Sequence, residues 1–383
     1  MFHTSHIEIS RSALRQNLQF LREKILDGVK ISSVVKGNAY GHSIELFVPL
    51  AESSGINHFS VFSADEALRV KQVSKDNATI MTMGMLDNEE LEWAIKNGIE
   101  FYVFEQNRLE AALEVAKKIN VPAKVHIELE TGMNRTGFDT KALPKTQKML
   151  TDNPGLLHLK GLCTHFAGAE SIANYYRIKK QKVAFKKLAR QFNQQQLIPK
   201  LLHSACSAAA IRYPETKMDM VRIGILQYGF FPSREVLIDY LTRHKENDYP
   251  LTRLISWKTK VMDVKSVKAG DFIGYGTSYL ANANMKVASI PVGYSHGFSR
   301  SLSNQGRVLI QGKRLSVVGM VNMNMTLVDV SNLEGVQKGD EVVLIGKQGD
   351  LEISVSSFGE FSDLVNYELL TRLPSNIPRK IVD

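Results

Sequence analysis

The chain has 383 residues, two cysteines, 44% hydrophobic residues and a formal charge of +9. Such a length suits two domains, or one barrel-sized domain with an appendage, and its core needs no disulfide framework. The first ten residues lack an apolar signal core, and no apolar run is long enough to cross a bilayer, so we expect a cytoplasmic protein without a membrane partner.

Over the first 230 residues, short apolar and β-branched runs alternate with amphipathic helical stretches. Ser63 to Glu66 and Asp87 to Glu90 both have the spacing of a capping box at a helix start. Eight βα units in this length predict an α/β fold, the (β/α)8 TIM barrel. An open doubly wound sheet also alternates, but it rarely has eight units without a Gly-rich nucleotide fingerprint. The predicted barrel strands are 30–35, 58–62, 79–83, 100–104, 123–129, 157–164, 200–204 and 218–222.

Much of the basic excess lies between residues 177 and 190, in a segment that resembles the solvated face of a helix. The sequence shows no zinc-finger spacing and no aromatic-basic ribonucleoprotein signature. It also lacks metal-ligand spacings such as His-Glu-x-x-His. We therefore expect no nucleic-acid partner and no metal.

After about residue 248 the pattern changes, because strand follows strand with turn signals between them. This change predicts a barrel domain of residues 11–240, followed by a mostly β domain of residues 241–383. The predicted strands are 255–264, 285–291, 307–310, 315–320, 325–330 and 341–345, and a helix is predicted over 357–370.

Polar residues follow the ends of several predicted barrel strands, and all these ends lie on one rim of a TIM barrel. Each residue alone has an ordinary explanation, such as a lysine that reaches solvent or an arginine in a structural salt bridge. The rim residues are Lys36, Arg135, His165, Ser207 and Arg222, with Gly224 and Ile225 after the last strand.

Together these residues suit pyridoxal phosphate and an amino-acid substrate. A desolvated lysine beside cations has a lowered pKa and can condense with an aldehyde. Hydroxyls and backbone N–H groups bind a phosphate, and a guanidinium binds a carboxylate. Pyridoxal phosphate with an amino acid meets all three demands.

Residues 34–42, VVKGNAYGH, resemble the cofactor-attachment signature of the alanine racemase family. The resemblance implies interconversion of L-alanine and D-alanine with pyridoxal 5'-phosphate, supplying D-alanine for peptidoglycan. It also implies that residues 1–10 join the β domain, and that the protein is a homodimer whose active sites borrow the partner's β domain. It extends through 130–138, 163–166, 220–225, 275–276, 291–294, 322–323 and 366–368, in the family's order.

The resemblance also implies a role for each matching residue. Lys36 would hold the cofactor and, with Tyr275 of the other subunit, would be one of two α-proton bases on opposite faces. His165 would hydrogen-bond Tyr275, and Arg222 would face the pyridine nitrogen. Arg135 would contact the cofactor's phenolic oxygen and the substrate carboxylate. The Met323 backbone N–H would help to hold that carboxylate, and the phosphate would be bound by Tyr40, Ser207, Gly224, Ile225 and Tyr367.

Four positions depart from the family's pattern. Glu128 replaces a lysine that is often carbamylated, Cys206 replaces an asparagine, and His296 and Asn324 replace aspartates. These changes touch the substrate pocket and its entrance but leave both proposed bases in place. Three alternatives stay open: a racemase of serine, lysine or several amino acids, a fold-related decarboxylase, and a catalytically weak pyridoxal-phosphate-binding protein.

Overall fold

The structure is a computed structural model that describes residues 3–355 and 366–383. It divides into two compact units. The barrel unit comprises Leu14–Ala39 and Phe47–Thr252, and the β-rich unit comprises Met1–Ala13, Tyr40–Leu46 and Arg253–Asp383.

The strands and helices follow the alternation of the sequence. In chain order the strands are β1 Ser5–Ser10, β2 Lys30–Val34, β3 His58–Val61, β4 Thr79–Thr82, β5 Glu100–Val103, β6 Ala123–Glu128, β7 Leu157–Cys163, β8 Leu201–His203, β9 Met220–Ile223, β10 Ile255–Lys260, β11 Asp263–Val267, β12 Met285–Ile290, β13 Arg307–Ile310, β14 Lys313–Ser316, β15 Thr326–Asp329, β16 Glu341–Gln348, β17 Leu351–Ile353 and β18 Arg379–Val382. The α-helices are α1 Arg11–Lys24, α2 Ile44–Ser53, α3 Ala64–Val73, α4 Asn88–Lys96, α5 Gln106–Ile119, α6 Leu143–Asp152, α7 Tyr175–Gln194, α8 Ser207–Arg212, α9 Arg234–His244 and α10 Asn366–Arg372.

The barrel unit is a nearly closed parallel sheet of eight strands, which confirms the predicted (β/α)8 barrel. Strands β2 to β8 pair with their neighbours in chain order, and β9 pairs with β2. Between β8 and β9, a parallel bridge joins Cys206 to Arg222, and Asp219 N–H donates to Leu202 O at 3.1 Å. Each barrel strand therefore lies where its apolar run predicted it.

The basic segment lies on helix α7. One side of α7 is buried through residues such as Ile178, Phe185 and Phe192, while Lys179 and Lys180 are exposed. This confirms the interpretation of the charge cluster as a solvated helix face. Among the described residues, no helix has the length and apolar character needed to cross a membrane.

The β-rich unit contains two sheets. A seven-stranded sheet has the order β14-β13-β16-β10-β1-β18, with β17 paired to β16, and a three-stranded sheet has the order β11-β12-β15. The prediction of one strand over 255–264 is wrong, because β10 and β11 lie in different sheets. Val261 N–H donates to Asp340 O, whereas the next residue, Met262, donates to Ser289 O.

The structure also bears on two further predictions for the β-rich unit. The strand predicted over 315–320 is wrong in its extent, because β14 ends at Ser316 and Val317 N–H donates to Gly306 O outside it. Of the helix predicted over 357–370, residues 357–365 lie outside the described residues, and α10 forms over Asn366–Arg372.

Only one of the two predicted capping boxes forms. At the start of α4, Asp87 and Glu90 make the reciprocal bonds of the motif. At the start of α3 the prediction is wrong, because Ser63 makes no capping bond. Glu66 instead accepts hydrogen bonds from the backbone N–H groups of Phe62 and Gly37, since the end of β2 lies beside this helix start.

Candidate active site

Lys36 begins a turn of left-handed backbone directly after β2. Gly37, Asn38 and Ala39 have φ of 62°, 55° and 54°, and Tyr40 continues the turn with φ of 51°. This conformation costs about 1–2 kcal/mol for each residue that carries a Cβ. Successive non-glycine residues with positive φ are held only where surrounding contacts fix them, and such strain is often found at functional sites.

The Lys36 amine lies among other charged groups at the barrel rim. Desolvation lowers its pKa most, Arg135 and Arg222 lower it further, and Glu66 opposes them. A lysine with a lowered pKa has a larger fraction of neutral amine at neutral pH, and only the neutral amine attacks a carbonyl carbon. The electrostatics of the rim therefore favour a nucleophilic lysine.

Arg222 is 5% exposed and is fixed within the barrel by four hydrogen bonds. Nη1 donates to His203 Nδ1 at 2.6 Å and to His203 O at 3.0 Å, while Nη2 donates to Thr164 O at 2.8 Å and Ser204 O at 3.2 Å. An arginine has five N–H donors and no acceptor. In the described part of the chain no acceptor binds Nε–H, so this group is left for a ligand at the rim.

A chain of buried polar groups supports Arg222 from below. Because arginine only donates, His203 Nδ1 must accept, and its Nε2–H then donates to His126 Nδ1 at 2.8 Å. His126 Nε2–H in turn donates to Glu100 Oε2 at 2.8 Å, and Lys160 Nζ lies 3.3 Å from Glu100 Oε1. The arginine therefore fixes the tautomer of both imidazoles.

Burial determines the charge state of this chain. Burial, Arg222 and His126 hold the pKa of His203 well below its usual value. Burial also lowers the pKa of His126, so both rings are neutral at pH 7. Burial alone would raise the pKa of Glu100, but the hydrogen bond of His126 and the nearby His58 ring, 3.9 Å away, lower it, and the group is a carboxylate. Sequence reasoning missed these residues; the available signal was polar residues within strands that are otherwise buried.

His165 follows β7 and lies near the same cations. Desolvation lowers its pKa to about 3, and Arg222, Arg135 and Lys36 contribute. Its carbonyl accepts a hydrogen bond from Gln181 Nε2 at 2.9 Å, and Ala167 N–H donates to Gln181 Oε1 at 2.9 Å. Gln181 on α7 thus fixes the backbone around an imidazole that is neutral at pH 7.

Glu128 ends β6 as a buried carboxyl that faces the rim. Thr136 Oγ1 donates to Glu128 Oε2 at 2.8 Å. Desolvation raises the pKa of Glu128, while Thr136, Arg135 and Arg222 lower it in part. Arg135 is itself exposed and is coupled to Glu128 by charge alone, because no ion pair joins them within the described residues. A negative Glu128 would orient this arginine at a distance.

Ser207 and Gly224 lie side by side at the ends of β8 and β9. The hydroxyl of Ser207 accepts the backbone N–H of Gly224 at 3.0 Å, and both residues and Ile225 are buried. A hydroxyl beside backbone N–H groups is the donor set that a phosphate prefers. The residues present in the barrel unit therefore fit pyridoxal phosphate: a lysine for its aldehyde, a hydroxyl beside backbone N–H groups for its phosphate, and an arginine Nε–H as a further donor.

The other two residues predicted to bind phosphate belong to the β-rich unit. The rings of Tyr40 and Tyr367 are in edge-to-face contact, with their centroids 6.5 Å apart. Tyr40 follows the left-handed turn, and Tyr367 lies in the first turn of α10. Two sequence-predicted residues, 327 positions apart in the chain, are thus brought together.

Tyr275 and Met323 are exposed on loops of the β-rich unit, with exposed fractions of 72% and 56%. Gly274 and Gly276 flank Tyr275 with φ of 79° and 66°, a conformation that glycine adopts at little cost. Next to Met323, a Cβ on Gly293 would lie 2.0 Å from Asn322 O. Glycine is therefore favoured beside Tyr275 by the backbone conformation, and beside Met323 by the close approach of Asn322 O.

His296 and Asn324, two of the departures, lie beside Met323. Ser295 joins Met323 and Asn324, since its hydroxyl donates to Met323 O at 2.7 Å and accepts Asn324 Nδ2–H at 2.9 Å, and the same hydroxyl lies 3.3 Å from His296 Nδ1. Gly293 N–H donates to His296 Nδ1 at 3.3 Å. The two replacements thus form neutral hydrogen bonds where aspartates would add negative charge.

Two family profiles match almost the whole chain. The alanine racemase N-terminal domain matches residues 9–232, and the alanine racemase C-terminal domain matches residues 254–381. An alanine racemase of Leptospira interrogans is 33% identical over 385 aligned positions, covering all of this chain and 96% of the relative.

Solved structures show the same likeness. An alanine racemase of Bacillus anthracis with bound L-Ala-P is 31% identical, with a TM-score of 0.89 over all of this chain and 96% of the other. One from Bartonella henselae with covalently bound pyridoxal phosphate is 27% identical, with a TM-score of 0.85 and full coverage of both chains.

Proposed function

The chain belongs to the alanine racemase family, and we propose that it interconverts L-alanine and D-alanine with pyridoxal phosphate as its cofactor. The observation that carries this proposal is the convergence of Lys36, His165 and Arg222 on one rim, with Lys36 and His165 depleted of charge by burial and neighbouring cations. We assign cofactor binding to the barrel domain, proposed as residues 11–240.

The residues divide the proton transfer between them. When bound to Lys36, pyridoxal phosphate withdraws electrons from the α-carbon and so eases removal of its proton. Lys36 takes or returns the proton on one face, and Tyr275 does so on the other, because racemisation exchanges the proton between faces. His165, neutral at pH 7, accepts a hydrogen bond from the Tyr275 hydroxyl and supports its loss of a proton.

Arg222 would limit how far charge moves into the cofactor ring. Its Nε–H would face the pyridine nitrogen, and a guanidinium does not give up its proton at neutral pH, so the arginine would leave that nitrogen unprotonated. A less electron-withdrawing ring would favour quick return of the proton to the α-carbon. The hydrogen-bonded chain through His203 and His126 keeps the guanidinium in this orientation.

The substrate carboxylate and the cofactor's phenolic oxygen and phosphate are assigned to donors that suit each group. Arg135 and the Met323 N–H bind the substrate carboxylate, and Arg135 also contacts the phenolic oxygen of the cofactor. The phosphate is bound by Ser207, Gly224 and Ile225, together with Tyr40 and Tyr367.

We also propose that the protein is a cytoplasmic homodimer in which each active site takes Tyr275 and Met323 from the partner. The support is their exposure in a single chain, since a base that acts on a buried α-carbon must be covered. Other large apolar side chains of the β-rich unit are exposed as well, namely Phe272, Leu280 and Tyr294.

Complementation tests the shared site. Lys36→Ala and Tyr275→Phe are each nearly inactive alone, and subunit exchange by dilution and reassociation should restore roughly a quarter of wild-type activity, since half of randomly paired dimers then have one intact site. A mixture that remains inactive, although light scattering shows mixed dimers, would contradict shared sites.

The decisive assay is conversion of L-alanine to D-alanine by purified protein with pyridoxal phosphate, with L-serine and L-lysine in parallel. We expect alanine to turn over fastest. Faster turnover of another amino acid would keep the mechanism and change the substrate, and Glu128, Cys206, His296 and Asn324 are the first positions to revert. Cofactor attachment to Lys36 without any turnover would favour a binding protein.

A further inference from the structure

The left-handed turn after Lys36 is held by the start of helix α3. Glu66 is 9% exposed, and its Oε1 accepts the backbone N–H of Gly37 at 2.6 Å and of Asn38 at 3.4 Å. Its Oε2 accepts the N–H of Phe62, at the end of β3, at 2.9 Å. One carboxylate thus joins the ends of two adjacent barrel strands.

A second contact comes from the next turn of the same helix. Arg69 donates from Nη2 to Asn38 Oδ1 at 2.5 Å. Because Glu66 and Arg69 are three residues apart, they lie on one face of α3, and that face contacts the left-handed turn. The strained backbone is therefore fixed by two side chains of one rigid element.

We propose that Glu66 is a positioning residue for Lys36: its carboxylate fixes the left-handed turn and thereby directs the lysine amine to the rim. This inference rests on the proposed role of Lys36. A carboxylate suits the task because its two oxygens can accept all three N–H groups, whereas a glutamine has a single acceptor oxygen. Glu66 also places a negative charge near Lys36, which opposes the two arginines.

The chain offers a matched control. Glu90 occupies the same position in α4 that Glu66 occupies in α3, the third residue of the helix. Its carboxylate accepts the N–H of Asp87 at 2.7 Å, and among the described residues no hydrogen bond joins it to another helix or strand. A comparison of Glu66→Gln with Glu90→Gln therefore separates the positioning of Lys36 from the loss of a helix-capping carboxylate.

The first readout needs no cofactor. Competitive labelling of cofactor-free protein with acetic anhydride across pH, followed by mass spectrometry, reports the pKa and reactivity of Lys36 against the exposed Lys200. We expect Glu66→Gln to lower the pKa of Lys36, because a negative charge is removed. We expect no shift in Glu90→Gln.

The second readout is attachment of pyridoxal phosphate to Lys36, trapped with borohydride and quantified by mass spectrometry. We expect Glu66→Gln to slow attachment about tenfold, because the loss of the fixed lysine position outweighs the larger fraction of neutral amine, and Glu90→Gln to leave it unchanged. Glu66→Asp keeps the charge but is too short to bridge Gly37 and Phe62, so it should slow attachment without the pKa shift, and it replaces Glu66→Gln if that variant does not fold.

The outcomes are distinct. If wild-type protein attaches no cofactor at Lys36, the proposed function fails. If wild type attaches it and both Glu66 variants attach it equally fast, with unchanged labelling of Lys36, then Glu66 is only structural and the inference is overturned.

Discussion

The barrel rim and the loops of the β-rich unit hold their candidate residues in opposite ways. At the rim, Arg222 and His203 are buried and fixed by hydrogen bonds, and burial has already set the charge state of His165. On the loops, Tyr275 and Met323 are exposed to solvent. In the proposed function, the barrel unit alone therefore positions Lys36, His165 and Arg222, whereas Tyr275 and Met323 contribute only when a partner covers them.

The largest effect is expected when Lys36, the proposed nucleophile at the barrel rim, is removed. Lys36→Ala should abolish cofactor attachment and slow racemisation by roughly 10⁴-fold or more, because both covalent binding and one base are lost. Borohydride trapping and the racemisation assay measure the two effects. Lys200→Ala, at an exposed position, is the control and should behave as wild type.

Removal of the Tyr275 hydroxyl, the proposed base on the exposed loops, should slow racemisation nearly as much. Tyr275→Phe keeps the ring but loses the hydroxyl, and we expect racemisation to slow by roughly 10²–10⁴-fold with cofactor attachment intact. Deuterium uptake at the α-carbon should persist from the Lys36 face alone. Uptake and racemisation lost in equal measure would show that Tyr275 is not a second, independent base.

The buried chain beneath the rim should make stability depend on pH. In the folded state the pKa of His203 lies well below its usual 6.5, so as pH falls through 6.5 the unfolded chain binds a proton that the folded chain does not. This destabilises the fold by up to about 1.4 kcal/mol per pH unit. His203→Gln keeps an acceptor for Arg222 and a donor for His126 but does not titrate.

Urea unfolding of wild type and His203→Gln between pH 7 and 5 measures this contribution. The free energy of unfolding should fall less steeply with acid in the variant, whatever its value at pH 7. Parallel curves would mean that His203 is protonated in the folded state and that the assigned tautomers are wrong.

The smallest effect is expected for a change at Glu128, which in the proposed site acts on the substrate through Arg135. Glu128→Gln should raise the Michaelis constant for alanine by about three- to tenfold at alkaline pH, because a charge that orients Arg135 is lost. Burial raises the pKa of Glu128, so its carboxyl becomes protonated and loses its charge as pH falls. The Michaelis constants of wild type and Glu128→Gln should therefore become equal at acid pH. A constant that is unchanged at every pH would rule out this role.

Two similar tetrapeptides show what a local sequence pattern can predict and what it cannot. Ser63 to Glu66 and Asp87 to Glu90 both predict a capping box, and only the second forms one. The difference arises because the N–H groups of Gly37 and Asn38 lie beside Glu66, and no local pattern indicates which strand ends next to a helix start. The division of residues 255–264 between two sheets escaped prediction for the same reason.

The sequence by itself determined the succession of barrel strands, the change to a β-rich region and the family motifs, because periodicity and turn residues are local properties. The roles of Lys36, Tyr275 and the other site residues stay predictions. Only the tertiary structure decided that Glu66 holds the turn after Lys36 and that Glu100, His126 and His203 line up beneath Arg222. These contacts join residues far apart in the chain, and their energies depend on burial, which a sequence does not display.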